Sequence, residues 1–90
     1  MKSVTTERFR KCYEALPNHV KQAAVNAFEV WQINPRHTSL KFKKIHQTDS
    51  VYSVRISLAW RALGVKQGNT MTWFWIGSHS EYDKLIKSIK

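Results

Sequence analysis

Apolar residues recur at helical spacing near the start of the chain. Phe9, Cys12, Tyr13 and Leu16 fall at i, i+3, i+4 and i+7, which places them on one face of an amphipathic helix. The residues from Lys2 to Thr5 ahead of them can form a short strand, and Thr6 is a suitable N-cap. Pro17 and Asn18 interrupt that face. A second helix is predicted from about Asn18 to Gln32, with Val20, Ala24, Ala27, Phe28 and Trp31 on its apolar side and small alanines that permit close approach. Two helices joined at a proline turn make an antiparallel hairpin. Asn34 and Pro35 end it, because the residue before proline is pushed out of the helical region.

Beyond Pro35 the pattern changes from helical spacing to alternation. "SLKFKKI" alternates Leu40 and Phe42 with Lys41 and Lys43, and "VYSVRISL" alternates Tyr52, Val54, Ile56 and Leu58 with Ser53, Arg55 and Ser57. "WRALGVK" continues the strand texture, and "QGNT" supplies a hairpin turn with Gly68 and Asn69. "MTWFWIG" is apolar on both faces, as suits a central strand covered on both sides. Ser80 with Asp83 fits a capping box, and Tyr82, Leu85, Ile86 and Ile89 are helix-spaced. The order is β-α-α-β-β-β-α. It predicts an α+β fold in which an N-terminal helical hairpin packs on a mostly antiparallel sheet, with a short C-terminal helix at its edge.

Ninety residues allow one domain, residues 1–90, and one modest core. The single cysteine, Cys12, can form no intrachain disulfide and has no CxxC partner, which points to a reducing compartment and away from a zinc site. "MKSVTTERFRK" has no continuous apolar stretch, and the longest apolar run, "WFWI", is too short to span a bilayer, so a soluble cytoplasmic protein is expected. Charge says more. Fifteen Lys and Arg stand against six Asp and Glu, a net charge of +9. Between Val30 and Ser80 lie Arg36, Lys41, Lys43, Lys44, Arg55, Arg61 and Lys66, with only Asp49 opposing them. Such a field attracts polyanions, nucleic acid or an acidic protein before an anionic membrane.

Three segments taken in order, "NPRHTSLKFKKI", "VYSVRISLAWRALGV" and "WFWIGSHSEYDKL", resemble the RelE/ParE superfamily of type II toxin–antitoxin toxins. They correspond to that superfamily's leucine-plus-basic segment, its "YxVRxxxxYRxxY" hairpin and its "GHxxxY" ending. The resemblance implies a small toxin, held inactive by an acidic cognate antitoxin. It acts either as an endoribonuclease on mRNA, free or on the ribosome, or, in the ParE branch, as an inhibitor of DNA gyrase with no hydrolytic step. A toxin fold that has lost its activity and survives as a binding module is the remaining alternative. No metal, cofactor or membrane is implied.

Carried onto this sequence, the nuclease branch assigns a catalytic set of His79, Arg61, Arg55 and Tyr82, with Lys41, Lys43 and Lys44 contacting the RNA backbone. The chemistry suits the residue types. An imidazole at position 79 can take the proton of a ribose 2′-OH. An arginine fork donates two hydrogen bonds and stays charged as negative charge develops on a phosphate. Lysines add salt-sensitive backbone contacts. Each has a structural alternative. His79 could help cap a helix, Tyr82 could pack in the core, and the arginines could pair with Asp49 or Glu81. The lysines could blunt a sheet edge, and Trp60, Trp73 and Trp75 could all be core. In the nuclease pattern a basic residue flanks the terminal histidine, whereas here Ser78 and Ser80 do. The leaving oxygen's proton would then come from His79, from Lys41 or Lys43, or from water.

Overall fold

The structure is a computed structural model that describes residues 1–46 and 50–89. Strand β1 (Lys2–Thr5) leads into helix α1 (Glu7–Glu14), whose first turn is capped as expected: the Thr6 hydroxyl accepts from the Phe9 amide at 3.1 Å. Helix α2 (Asn18–Ile33) follows after Pro17 and buries Val20, Ala24, Ala27 and Trp31. Phe28, expected with them, is 42% exposed. None of these helices is long and apolar enough to cross a membrane, nor is any other helix among the described residues.

The sheet is five-stranded, in the order β1-β5-β4-β3-β2. Its strands are β2 (Lys43–Lys44), β3 (Val51–Ser57), β4 (Trp60–Gln67) and β5 (Thr70–Ser78), together with β1. Only the β1–β5 pair is parallel. Helix α3 (His79–Ile89) closes the fold. The α+β class and the helical hairpin agree with the sequence, and the element order gains one strand, the two-residue β2. "SLKFKKI" is shorter as a strand than its alternation implies. Thr38–Leu40 forms a 3₁₀ turn, and Lys41 ends that turn with φ 44°, in the left-handed region, so Lys41 and Lys43 do not share a strand face. The turn between β4 and β5 has two residues, and Gly68, the first, has φ 59°, where a hairpin of this kind needs glycine.

Two core clusters form on opposite sides of the sheet. The larger one joins α2 to Val54, Ala62, Met71, Trp73 and Ile76, with Trp31 edge-on to Trp73 at 5.3 Å between ring centres. The smaller one is Leu63, Trp75 and Tyr82, which docks α3. Two tryptophans only two positions apart thus serve different sides. The cause is a β-bulge: Leu63 pairs with Trp75 and Gly64 with Trp73, so Phe74 is an extra residue and the facing of β5 reverses across it. Each indole then rests on a glycine. A Cβ at Gly64 would come within 2.7 Å of the Trp73 ring, and one at Gly77 would collide with Trp75.

Candidate functional site

The face of the sheet beneath α3 carries the candidate chemistry. Arg55 on β3 and Arg61 on β4 are direct cross-strand partners, and Arg61 pairs on its other side with Gly77. Residues opposite one another in an antiparallel pair project to the same face, so the two guanidinium-bearing side chains leave the sheet together. Like charges so placed repel. Neither arginine has a carboxylate within ion-pair distance among the described residues. Burial lowers the Arg61 pKa from its ordinary value, and the charge of Arg55 lowers it further, while Tyr82 and Asp83 act in the opposite direction. Arg55, Tyr82 and Asp83 thus lie within electrostatic reach of Arg61. Two cations kept side by side without a matching pair of anions form a ready anion site.

One nitrogen of Arg61 is already committed. Its Nη1 donates to the carbonyl oxygens of Ser57 at 2.7 Å, Trp60 at 3.0 Å and Leu58 at 3.3 Å, clamping the turn between β3 and β4 from inside. Among the described residues the other nitrogens of the fork have no hydrogen-bond partner, which leaves them for a ligand. Of the two carboxylates considered as partners for the arginines, Asp49 lies outside the described residues. Glu81 is bound elsewhere: it accepts from the Ser78 hydroxyl at 3.0 Å.

The Ser78 contact also relocates the helix cap. The Ser78 hydroxyl accepts from the Glu81 amide at 3.3 Å and donates to the Glu81 carboxylate, so the cap is Ser78 with Glu81, not Ser80 with Asp83. The reason is that β5 runs directly into α3 without a linker, so His79 is the first helical residue. Ser78→Ala is expected to cost about 1 kcal/mol of stability, readable as a lower denaturation midpoint.

With the helix starting two residues earlier than the Ser80 cap implies, Asp83 falls one turn after His79. Asp83 Oδ2 lies 3.4 Å from His79 Nε2. The ring of His79 is exposed to solvent and lies over that of Tyr82, with centres 5.9 Å apart and planes at 29°. Its backbone amide donates to the Ala59 carbonyl at 2.7 Å, tying α3 to the turn that Arg61 clamps. Asp83 is not among the residues that the superfamily's motifs assign to the site. Its i, i+4 spacing from His79 was the available signal, hidden by assigning it to the cap.

The remaining candidates divide. Tyr82 is 5% exposed and packed against Leu63 and Trp75, so its ring faces are covered by the core and by His79. Lys43 pairs with Ser53, two positions before Arg55, and so lies on the arginine face; Lys44 pairs with Tyr52 and faces the other way. Lys41 sits off the sheet. Trp73 and Trp75 are buried, and Trp60 is partly buried against the larger core. The site thus gathers His79, Asp83, Arg55, Arg61 and the edge of Tyr82, with Lys43 on the next strand.

A second concavity lies on the opposite side of the sheet. It is an apolar groove of about 460 Å³ between the helical hairpin and the sheet, with Val4, Phe9, Tyr13, Val25, Phe28 and Trp31 in its wall.

Against known proteins, the family model for a ParE-like toxin domain matches residues 18–84. A search of the curated proteins finds no match. Among solved structures, the chain is similar to one in the RelB–RelE antitoxin–toxin complex of Methanococcus jannaschii, with 20% identity and a TM-score of 0.72, covering 90% of this chain and 96% of that one. YafQ from E. coli strain BL21(DE3) aligns with 10% identity and a TM-score of 0.70, over 91% and 98% of the two chains. The toxin–antitoxin complex RelBE2 of Mycobacterium tuberculosis aligns with 18% identity and a TM-score of 0.69, over 87% and 96%. The matched segment contains α2, every strand after it and the His79–Asp83 turn of α3, and on that basis this chain is a member of the ParE-like toxin family, within the RelE/ParE superfamily its motifs resemble.

Proposed function

We propose that this toxin cleaves RNA through attack of a ribose 2′-OH on the adjacent phosphate, with no metal. The observation that carries the reading is the exposed His79, oriented by Asp83 and close to Arg55 and Arg61, neither of which has a carboxylate within ion-pair distance among the described residues. A proton on Nε2 directed at Asp83 leaves the Nδ1 lone pair to accept the 2′-OH proton. The O2′–P bond forms as the P–O5′ bond breaks, giving a cyclic phosphate and a 5′-hydroxyl. Arg55 and the free nitrogens of Arg61 receive the charge that develops on the phosphate oxygens. Lys43, on the same face, or water protonates the leaving oxygen. Lys41 and Lys44 contribute at most to the wider field along the RNA backbone. Tyr82 acts through packing, by holding the imidazole from beneath.

The natural partner is an acidic antitoxin, in keeping with the +9 charge and with relatives solved as complexes with RelB. The apolar groove on the far side of the sheet suits the apolar face of a helix from such a partner. mRNA, on the ribosome or free, is the substrate class, and the cytoplasm is where both would be met.

The test is an RNA oligonucleotide spanning a mapped cleavage site, made with ribose or with a single deoxyribose at the scissile nucleotide. Both should bind equally and only the first should be cut. Cutting of the deoxy substrate would defeat the mechanism. A second reading, inhibition of gyrase by a non-hydrolytic toxin, is favoured by the ParE-like family match and by the commitment of Arg61 Nη1 to its own hairpin. It requires that RNA stay intact in cells arrested by the toxin.

A further inference from the structure

The turn between β3 and β4 holds one feature that the proposed chemistry leaves unused. Leu58 and Ala59 are its two central residues, and the Leu58 side chain is 79% exposed. Alternation along β3 predicts that Leu58 points inward with Tyr52, Val54 and Ile56. The structure differs because Arg55 pairs with Arg61 and Ser57 with Trp60, which ends the ladder early and lifts Leu58 to the tip.

This tip is held from two directions. Arg61 Nη1 donates to the carbonyls of Ser57, Leu58 and Trp60, and the His79 amide donates to that of Ala59. A leucine on a loose loop can turn away from water; one on a clamped two-residue turn stays where the backbone puts it. Its position is beside Arg61 and the first turn of α3, at the edge of the anion site.

Resting on the RNA-cleavage reading, we propose that Leu58 is an apolar wedge that packs on a nucleobase next to the scissile phosphate and sets which base is accepted there. A base is favoured over a protein surface by what surrounds it. The other large apolar side chains exposed among the described residues, Met1, Val4, Val25, Phe28 and Ile33, belong to the N-terminal segment and α2. Three of them line the groove on the far side of the sheet. Leu58 stands apart from that set, on the turn whose carbonyls accept from Arg61 and from the His79 amide. A protein partner would meet one isolated leucine with no apolar neighbour among the exposed residues described. A nucleotide offers one apolar face joined to one phosphate, which matches a single leucine next to paired arginines. Inserted leucines unstack neighbouring bases in the same manner elsewhere.

The experiment uses RNA spanning a mapped cleavage site, with deoxyribose at the scissile nucleotide and 2-aminopurine placed on either side of the scissile phosphate in turn. With the unaltered protein, fluorescence should rise at one of the two positions as that base leaves its stack. With Leu58→Ala the rise should vanish there. On all-ribose substrates the variant should lose about ten-fold in kcat/KM and discriminate less among bases at that position, while Leu58→Met restores most of both. Thermal unfolding should be unchanged, since the side chain is exposed. Equal fluorescence and equal base preference for the unaltered protein and Leu58→Ala would overturn the wedge while leaving the nuclease standing. Failure of the unaltered protein to bind or cut RNA would overturn both. Loss of gyrase binding by Leu58→Ala, with RNA binding intact, would overturn the wedge in favour of a protein contact.

Discussion

Replacing His79 with alanine is expected to reduce RNA cleavage by about 10²–10⁴-fold, the range typical for removal of a positioned acid or base. The fold should survive. The ring is exposed, and its contact with Asp83 is a half-exposed ion pair of the kind that adds little stability. The amide that binds the Ala59 carbonyl is backbone and stays in place with any side chain. Alanine is also a good helix former, so the first turn of α3 should hold. His79 is a cleaner probe than Arg61, whose removal would also free the three turn carbonyls that Nη1 now satisfies. Initial rates on a short RNA, with growth after induction in cells, make the measurement. A His79→Ala protein that arrests growth as strongly as the parent while RNA stays intact would favour the gyrase reading.

Gly77→Ala is expected to destabilise the domain by about 1–3 kcal/mol through overpacking, which for a chain of this size lowers the thermal midpoint by roughly 5–20 °C. The added Cβ would fall on the Trp75 ring, which cannot swing aside. Trp75 is buried, with Leu63 on β4 and Tyr82 on α3 in the same cluster. Strain at this point pushes on Tyr82, and through it on the imidazole stacked above, so cleavage should fall along with stability. Gly64→Ala is the matched control. Its Cβ meets Trp73 at 2.7 Å and Met71 at 2.9 Å on the helical-hairpin side, so it should lose stability but leave the residual folded protein with ordinary activity. A Gly77→Ala protein that melts like the parent would show that the indole can relax and that the smaller cluster is not closely packed.

Much of the scaffold was legible because its signals are local. Phe9, Cys12 and Tyr13 mark the packed side of α1, Thr6 caps it, and Pro17 separates it from α2. The apolar run of β5 marks a central strand, and it is flanked by β1 and β4 with helices on both sides. His79, Arg55 and Arg61 follow from the resemblance to the superfamily's motifs, and the structure sets Arg55 opposite Arg61 and ties His79 to the turn after β3. The errors share one source. At Lys41, Leu58 and the Ser80 cap a regular sequence pattern runs past the point where the chain breaks it. A left-handed residue, an early end to a ladder and a strand that becomes a helix without a linker leave no trace in alternation.

The sequence by itself determined the kinds of elements, their order but for the short β2, most of the packed faces of the helices and the positive field, because each depends on backbone periodicity or on summed charge. The tertiary structure decided how side chains on the sheet are distributed between its two sides, and therefore what surrounds His79. Two skipped residues, at Ile56 and Phe74, reset the facing of β3 and β5. Whether a strand skips a residue depends on what its partner strand can accommodate, here the Trp73 indole of β5 over Gly64 of β4. A contact of that kind joins side chains on two different strands, so the periodicity along either strand alone does not contain it.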